Sequence, residues 1–461
     1  MTGSGTAERF LDWAGNALQL VWLGALGLAL VGLAWTMQKF GVSGSAAAAL
    51  VAWLVLIACV AWLTLRQRYI LAMGLVALAR IGVYFLTDGA VPTSPDAHFY
   101  DSLARSLANG RELPTVIDGV TFLAHAPRLH AYLLAIVYFI TNGSSAGPPI
   151  LNFLFDGLTA AVIFRAGTYL GGDKRLSAVA ALSYLLWPHV MLNSVFAQKE
   201  SLACLLVTSA CYLLLRAWIE GKIQTIRYGI LLGLLGFTQP AFFLMVGGLQ
   251  LILFWRLRAI AVVRTIALTS LTATLTLLPW IIRNWILLDG FVPLTTGAGM
   301  NMYVNAAGNY DFPDQFNALP ERVWNSRMLI AAFSIIVADP WVYTVHQVKM
   351  MSLGLGLEHM TYQVWETMKP PPALKAQDTI LVTQSALIGL WALASALTYV
   401  RRSHTFFLLL FTLVFTYIAT VAIWFEFGSR HRAYFLPLLL LWASTSAERA
   451  KPAKITRDGR V

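Results

Sequence analysis

Uncharged apolar blocks about one bilayer long recur through this chain, and they constrain its fold more than any other feature. Ala17–Trp35, Ala46–Leu65 and Phe406–Trp424 contain no Asp, Glu, Lys or Arg. A helix rises about 1.5 Å per residue, so about 20 apolar residues cross the hydrocarbon core. A soluble core helix does not need that length. Composition agrees: 58% of residues are hydrophobic and 12% are charged, against about 25% charged in an ordinary soluble domain. Half the usual charge leaves too little polar surface to dissolve a chain of 461 residues.

The expected fold is therefore an all-α polytopic membrane protein with about twelve transmembrane helices. The spans are expected near 15–35, 46–65, 69–86, 149–169, 176–193, 201–217, 228–238, 241–256, 263–281, 379–399, 405–424 and 433–446. The short pair 228–238 and 241–256 reads as a hairpin turning at Thr238-Gln239-Pro240. Residues 131–141 are apolar but too short to cross, and read as a juxtamembrane or re-entrant helix. The first apolar block is too long for a signal-peptide core and reads as an uncleaved span.

The net charge is +11. In a soluble protein this would point to nucleic acid. Here the basic residues fall between apolar blocks, as in cytoplasmic loops, and nucleic-acid binding is not expected. With the N-terminus inside, Arg9, Arg66, Arg68, Lys174, Arg175, Arg216, Lys222, Arg227, Arg256, Arg258, Arg264, Arg401 and Arg402 all fall on the inner side. So does the basic tail after residue 446. The expected location is the cell inner (plasma) membrane. Two long segments, about 87–130 and 284–378, then lie outside, where long loops are usually functional. Cys59, Cys204 and Cys211 sit within apolar blocks and read as small hydrophobes.

The outer face gathers the polar residues that need a reason. In the first loop, Tyr100, Leu103, Ala104, Leu107 and Ala108 have the spacing of an amphipathic helix, with Gly110 suited to its C-terminal cap. Asp96 stands just before that helix, as a cap or as a reactive carboxylate. Glu200 follows a helix start at Asn193-Ser194, with Lys199 beside it, either as an anchoring pair or as a second acidic site residue. Arg128, Arg283, Arg322, Arg430, His431 and Arg432 run against the positive-inside tendency. A phosphorylated lipid headgroup would account for them. His98, Asp101, Asp118, Asp311 and Asp314 read mainly as solvated loop residues.

One stretch carries a resemblance. Leu278-Pro279-Trp280-Ile281-Ile282-Arg283-Asn284, then Gly290-Phe291-Val292-Pro293-Leu294-Thr295-Thr296 and Gly299-Met300-Asn301-Met302-Tyr303, resembles the C-type-fold glycosyltransferases that use polyprenyl-phosphate sugars. These are relatives of the protein O-mannosyltransferases and the aminoarabinose lipid A transferases. Asp96, four residues before Tyr100, is similar to the family's first-loop aspartate and its tyrosine. Gly229–Gly233 through Pro240 resembles the family's mid-chain hairpin. Arg432-Ala433-Tyr434 with Pro437 resembles the opening of its last span. The resemblance covers about residues 70–446. It implies a transmembrane domain over 69–446, preceded by a two-helix extension over 1–68 and followed by a cytoplasmic tail over 447–461.

The resemblance also implies an activity: transfer of a sugar from a polyprenyl-phosphate donor to a hydroxyl of a glycan, lipid or protein, with inversion, on the non-cytoplasmic face. Asp96 and Glu200 carry over as the acidic residues. Arg432 by its motif position, and Arg283, Arg430 and Arg128 by their location, are the candidates for the donor phosphate, with Tyr100, His98, Asn284 and Lys199 in support. Two positions depart from the pattern. Ala97 stands where many relatives place a glutamate, and Arg128 of His125-Ala126-Pro127-Arg128 is the nearest match to a first-loop lysine. A hydroxyl acceptor needs a carboxylate within hydrogen-bond reach. Phosphate is a good leaving group whose charge arginine stabilises, so neither a metal nor a cofactor is obligatory. The lipid-linked sugar is the co-substrate.

Two other classes share the bilayer and lipid-linked glycans. A transporter or flippase would bury charges along a mid-span path, whereas Arg80, Asp156 and Arg165 are few and read as near span ends or singly placed. A polymerase or ligase would take a pyrophosphate-linked oligosaccharide.

Overall fold

A computed structural model describes residues 44–87, 95–117, 120–170, 172–255, 259–308, 312, 319–356 and 434–445. The expected spans 15–35, 379–399 and 405–424 lie outside these residues, as does the basic tail. Helices α1 (Gly44–Leu65) and α2 (Tyr69–Thr87) come first, followed by the loop helix α3 (Pro95–Ala108). A two-stranded hairpin follows: β1 (Thr115–Ile117) pairs antiparallel with β2 (Val120–Phe122), with Val116 opposite Thr121. Then come α4 (Leu129–Ile140), α5 (Gly147–Tyr169), α6 (Lys174–Leu185), α7 (Pro188–Asn193) and α8 (Glu200–Glu220). The hairpin α9 (Thr225–Gly236) and α10 (Pro240–Gly248) runs into a 3₁₀ turn and then the long α11 (Ala259–Leu288). Helices α12 (Ala298–Ala307), α13 (Glu321–Ala338), α14 (Pro340–Gly356) and α15 (Leu436–Thr445) complete the described residues.

Among the described residues, α5, α8 and α11 are each long and apolar enough to cross a bilayer, and the pair α13–α14, bent by 100°, would make one more. The peripheral helices turn large apolar side chains outward, among them Ile70, Phe85, Ile260 and Ile286. Water would penalise that surface heavily, and lipid does not. Several expected boundaries move. The span expected at 176–193 is broken, because Pro188 starts α7 and holds Trp187 in an extended conformation. Asp96 lies inside the first turn of α3 and not before it, since Pro95 is the first helical residue. Asn193 closes α7, and the helix that carries Glu200 begins at Glu200 itself. Residues 321–348, read as part of an outer loop, form the two apolar helices of the bent pair.

Two close packings set the frame. Helix α5 packs on α6 and α8, and α15, almost wholly buried, fits against α5 and α6. Helix α9 lies on α11 so closely that a Cβ on Gly233 would stand 2.5 Å from Thr276 Cβ and 2.8 Å from the Ala273 carbonyl oxygen. Gly229 meets Thr272 in the same way at 2.6 Å. Small residues four apart let two backbones approach, as in other membrane helix pairs. The Tyr228 hydroxyl then donates to Val246 O at 2.7 Å and closes the hairpin expected at Thr238–Pro240.

The bundle has two chemically different ends. Helices α5 and α8 run parallel. Near their starts, Asn152 donates to Phe196 O at 2.7 Å, and at their finishes Tyr169 donates to Glu220 at 2.6 Å. The finishing end collects Arg66, Arg68, Lys174, Arg175 and Arg216, with Asp173 capping α6 through the Arg175 and Leu176 amides. The starting end carries Asp96, Arg128, Glu200 and Arg283.

Candidate active site at one end of the bundle

Helix α3 presents Asp96 from its first turn. Its apolar face buries Ala97, Tyr100, Leu103 and Ala104, as the spacing requires. The helix ends in a Schellman arrangement: Gly110, at φ +73°, donates to Leu107 O, and Arg111 donates to Ser106 O. Asp101 is a tether and not the solvated residue expected. It accepts from the Tyr138 hydroxyl and, at 2.8 Å, from Arg105, whose guanidinium reaches Gly143 O and lies over the Tyr138 ring. These contacts fix α3 on α4 and so fix where Asp96 stands. His98 is exposed on the other face.

The motif at the end of α11 works as a latch. Trp280 Nε1 donates to Leu294 O at 2.6 Å, and Asn284 Nδ2 donates to Val292 O at 3.0 Å. Trp280 and Asn284 lie one turn apart on one face, so together they fold the chain after Leu288 back along the helix. Arg283 projects beside them, stacked over the Trp280 ring at 4.6 Å from its centroid. Its guanidinium donates to Asn284 Oδ1, Leu123 O and Glu112.

The glycine-rich continuation holds the first loop. Thr296 N donates to Ala124 O at 2.9 Å. Gly297 lies against His125, whose carbonyl oxygen would be 2.6 Å from any Cβ there, and Gly299 donates to Asn325 Oδ1 at 2.7 Å. Glu321, buried at the start of α13, accepts from the amides of Leu123 and Ala124 at 2.6 and 2.9 Å and from the Thr296 hydroxyl. Phe122 packs with Trp324 and Met328 to seal the junction. The segment Leu123–Arg128 is thereby clamped between α11, α12 and α13.

Arg128 ends that segment fully buried. Its Nη1 donates to Glu112 Oε1 at 2.6 Å, and Arg283 Nη2 reaches the same oxygen at 2.5 Å. Nε and Nη2 of Arg128 have no hydrogen-bond partner among the described residues. Burial pulls the Arg128 proton affinity below the ordinary arginine value, and Glu112 opposes that loss. His125 sits among Asp96, Lys199 and Arg128. Burial, with the two cations, outweighs Asp96 and pushes its pKa down to about 4, so the imidazole is neutral at pH 7. Lys199 lies over the Tyr100 ring at 5.7 Å, and Tyr100 meets His130 edge to face. Glu200 is buried beside Lys199.

The structure thus brings Asp96, Tyr100, Arg128 and Lys199 around His125 and His130, and joins Arg128 to Arg283 through Glu112. Asn284 is next to Arg283 but its amide serves the latch. Among the described residues, Arg322 donates to Asp289 O, at 3.3 Å. Arg430, His431 and Arg432 lie outside the described residues, as do Asp118, Asp311 and Asp314. Glu112, His125 and Glu321 were not singled out from the sequence. No spacing marks them, although two arginines expected at one phosphate call for a carboxylate when no ligand is bound. Arg80 and Asp156, expected singly, form one buried ion pair completed by Ser194. Among the described residues, no three His, Cys, Asp or Glu side chains converge as a metal site.

No family model matches the chain, and no curated protein matches it. Some solved structures are similar to it. The archaeal oligosaccharyltransferase AglB from Archaeoglobus fulgidus, in complex with an inhibitory peptide and a dolichol-phosphate, superposes with a TM-score of 0.44 at 12% identity. That match covers 80% of this chain and 50% of the other, so the chain spans about half the length of the oligosaccharyltransferase. ArnT from Cupriavidus metallidurans, bound to undecaprenyl phosphate, superposes with a TM-score of 0.41 at 12% identity, over 82% of this chain and 78% of ArnT.

Proposed function

We propose that this chain is an integral-membrane glycosyltransferase that moves a sugar from a polyprenyl-phosphate donor to a hydroxyl of a glycan, lipid or protein. The site faces the non-cytoplasmic side of the plasma membrane, and the reaction inverts the anomeric centre. The observation that carries this reading is the arrangement at one bundle end: Asp96 beside a neutral His125, and two arginines, Arg128 and Arg283, converging on one anion position.

The chemistry follows from those groups. The acceptor hydroxyl attacks the anomeric carbon as the bond from that carbon to the phosphate oxygen breaks. Asp96 takes the hydroxyl proton, and the polyprenyl phosphate leaves with the electron pair of the broken bond. A positioned base contributes about 10²–10⁴-fold. Charge developing on the phosphate is met by the guanidinium donors of Arg128 and Arg283 through charge-assisted hydrogen bonds. Glu200 and Lys199 flank the acceptor side, Arg430 and Arg432 supply further positive charge for the donor, and Tyr100 and His98 support the loop. A lipid-anchored donor explains why the site stands at the end of a membrane bundle.

Asp96→Asn tests the reading. The variant is expected to insert and fold, and to lose transfer by at least two orders of magnitude. Transfer at the wild-type rate would remove Asp96 from the mechanism.

A further inference from the structure

We infer that Glu112 is the place-holder of the donor site: its carboxylate occupies the arginine pair and exchanges for phosphate oxygens when a phosphorylated lipid arrives. The inference rests on the reading above, because it needs Arg128 and Arg283 to be phosphate ligands.

Three observations support it. A single oxygen, Glu112 Oε1, bridges Arg128 and Arg283 at 2.6 and 2.5 Å. Two cations so placed repel unless an anion stands between them, and Glu112 supplies that anion. Second, the partners differ in exposure and in how many contacts hold them. Arg128 is 0% exposed and follows the clamped loop, while Arg283 is held by Trp280, Asn284 and Leu123 O. Glu112 is 33% exposed and lies on the short irregular segment between α3 and β1. The arginines are held from several sides, while the Glu112 carboxylate borders solvent, with the Tyr132 hydroxyl at 3.4 Å as its one further contact among the described residues. Third, the carboxylate leaves the pair under-satisfied. Nε and Nη2 of buried Arg128 lack partners among the described residues. A flat carboxylate already bonded to two guanidinium groups cannot reach them. A phosphate presents more oxygens in a tetrahedron and can engage both forks. No covalent step is involved; one anion replaces another.

The test uses the full chain in detergent with undecaprenyl phosphate as probe and inorganic phosphate as a second arm. Wild type, Glu112→Gln, Glu112→Asp and Arg283→Ala are compared by binding and by thermal unfolding. Glu112→Gln is expected to bind undecaprenyl phosphate about tenfold tighter than wild type, because an amide competes poorly for the arginines. It should unfold at a lower temperature without ligand and gain more from the ligand. Glu112→Asp, one methylene shorter and unable to bridge both arginines, should also bind more tightly, and Arg283→Ala should lose binding. A matching gain for inorganic phosphate would show that the arginine site selects the phosphate group; a gain limited to undecaprenyl phosphate would place the lipid tail within the exchange. If both Glu112 variants bind as wild type does, or more weakly, the place-holder is wrong while the donor site stands. If neither wild type nor any variant binds undecaprenyl phosphate, the donor reading fails and the inference with it.

Discussion

Arg283 and Glu112 stand 171 residues apart in the chain, and their side chains meet at 2.5 Å. This contact ties the end of the longest described helix to the segment after the loop helix that carries Asp96. It brings side chains from two distant segments of the chain to one place.

Arg283→Lys should be far from conservative. The guanidinium of Arg283 makes hydrogen bonds to Glu112, Asn284 and Leu123 O while stacked on Trp280, and an ammonium cannot reproduce a planar fork. Loss of one charge-assisted interaction is worth about 1.5–3 kcal/mol, so kcat/KM for the lipid-linked donor should fall roughly 10–100-fold. Steady-state kinetics with varied donor concentration would check it; an unchanged kcat/KM would separate Arg283 from the donor.

Gly233→Ala should loosen the bundle. The new methyl would meet Thr276 Cβ at 2.5 Å and the Ala273 carbonyl oxygen at 2.8 Å, and overpacking of this kind costs about 1–3 kcal/mol. Thr276→Ala in the same chain should recover part of the loss, since only the side-chain half of the clash is relieved. Unfolding temperature in detergent is the readout, and Gly248→Ala, where a Cβ would meet no packed neighbour within 4 Å among the described residues, serves as the control.

Arg80 and Asp156 should behave as a unit. Removing one partner of a buried ion pair leaves an uncompensated charge and costs about 3–5 kcal/mol. Arg80→Met and Asp156→Leu should each destabilise strongly, while the double variant should cost much less than their sum. A double-mutant cycle on thermal stability measures this coupling, and strict additivity would contradict the pairing.

Acid should weaken the clamped loop through His125. Its pKa in the folded protein is about 4, below the ordinary 6.5. The unfolded chain therefore takes up the proton first as pH falls. The stability that comes from a neutral His125 is complete above pH 6.5 and is lost progressively down to about pH 4, a difference worth roughly 3 kcal/mol. Unfolding profiles of wild type and His125→Gln should diverge across that window. Parallel profiles would mean that His125 titrates alike in the folded and unfolded chain, contrary to its burial.

Much of this was legible in the sequence, for identifiable reasons. Helices α1, α2, α5, α8 and α11 fall where apolar runs of the right length lie, because the bilayer imposes that length. The loop helix with Gly110 at its end and the turn at Gln239-Pro240 are written in local chemistry. What local reasoning missed depends on long-range packing. Pro188 splits a run that looks continuous by hydropathy. Asp101 looked solvated because its partner Tyr138 lies 37 residues away. Glu112 and Glu321 carry no spacing signal, since each serves groups brought together only by the folded chain.

On the proposed function, the chain consumes a polyprenyl-phosphate monosaccharide. Lipid analysis of cells lacking the protein tests it most directly, with wild-type and Asp96→Asn genes returned in parallel. A polyprenyl-phosphate monosaccharide is expected to accumulate, the wild-type gene to clear it, and Asp96→Asn to leave it in place. Accumulation of a pyrophosphate-linked oligosaccharide, or no change in the lipid-linked sugars, would contradict it.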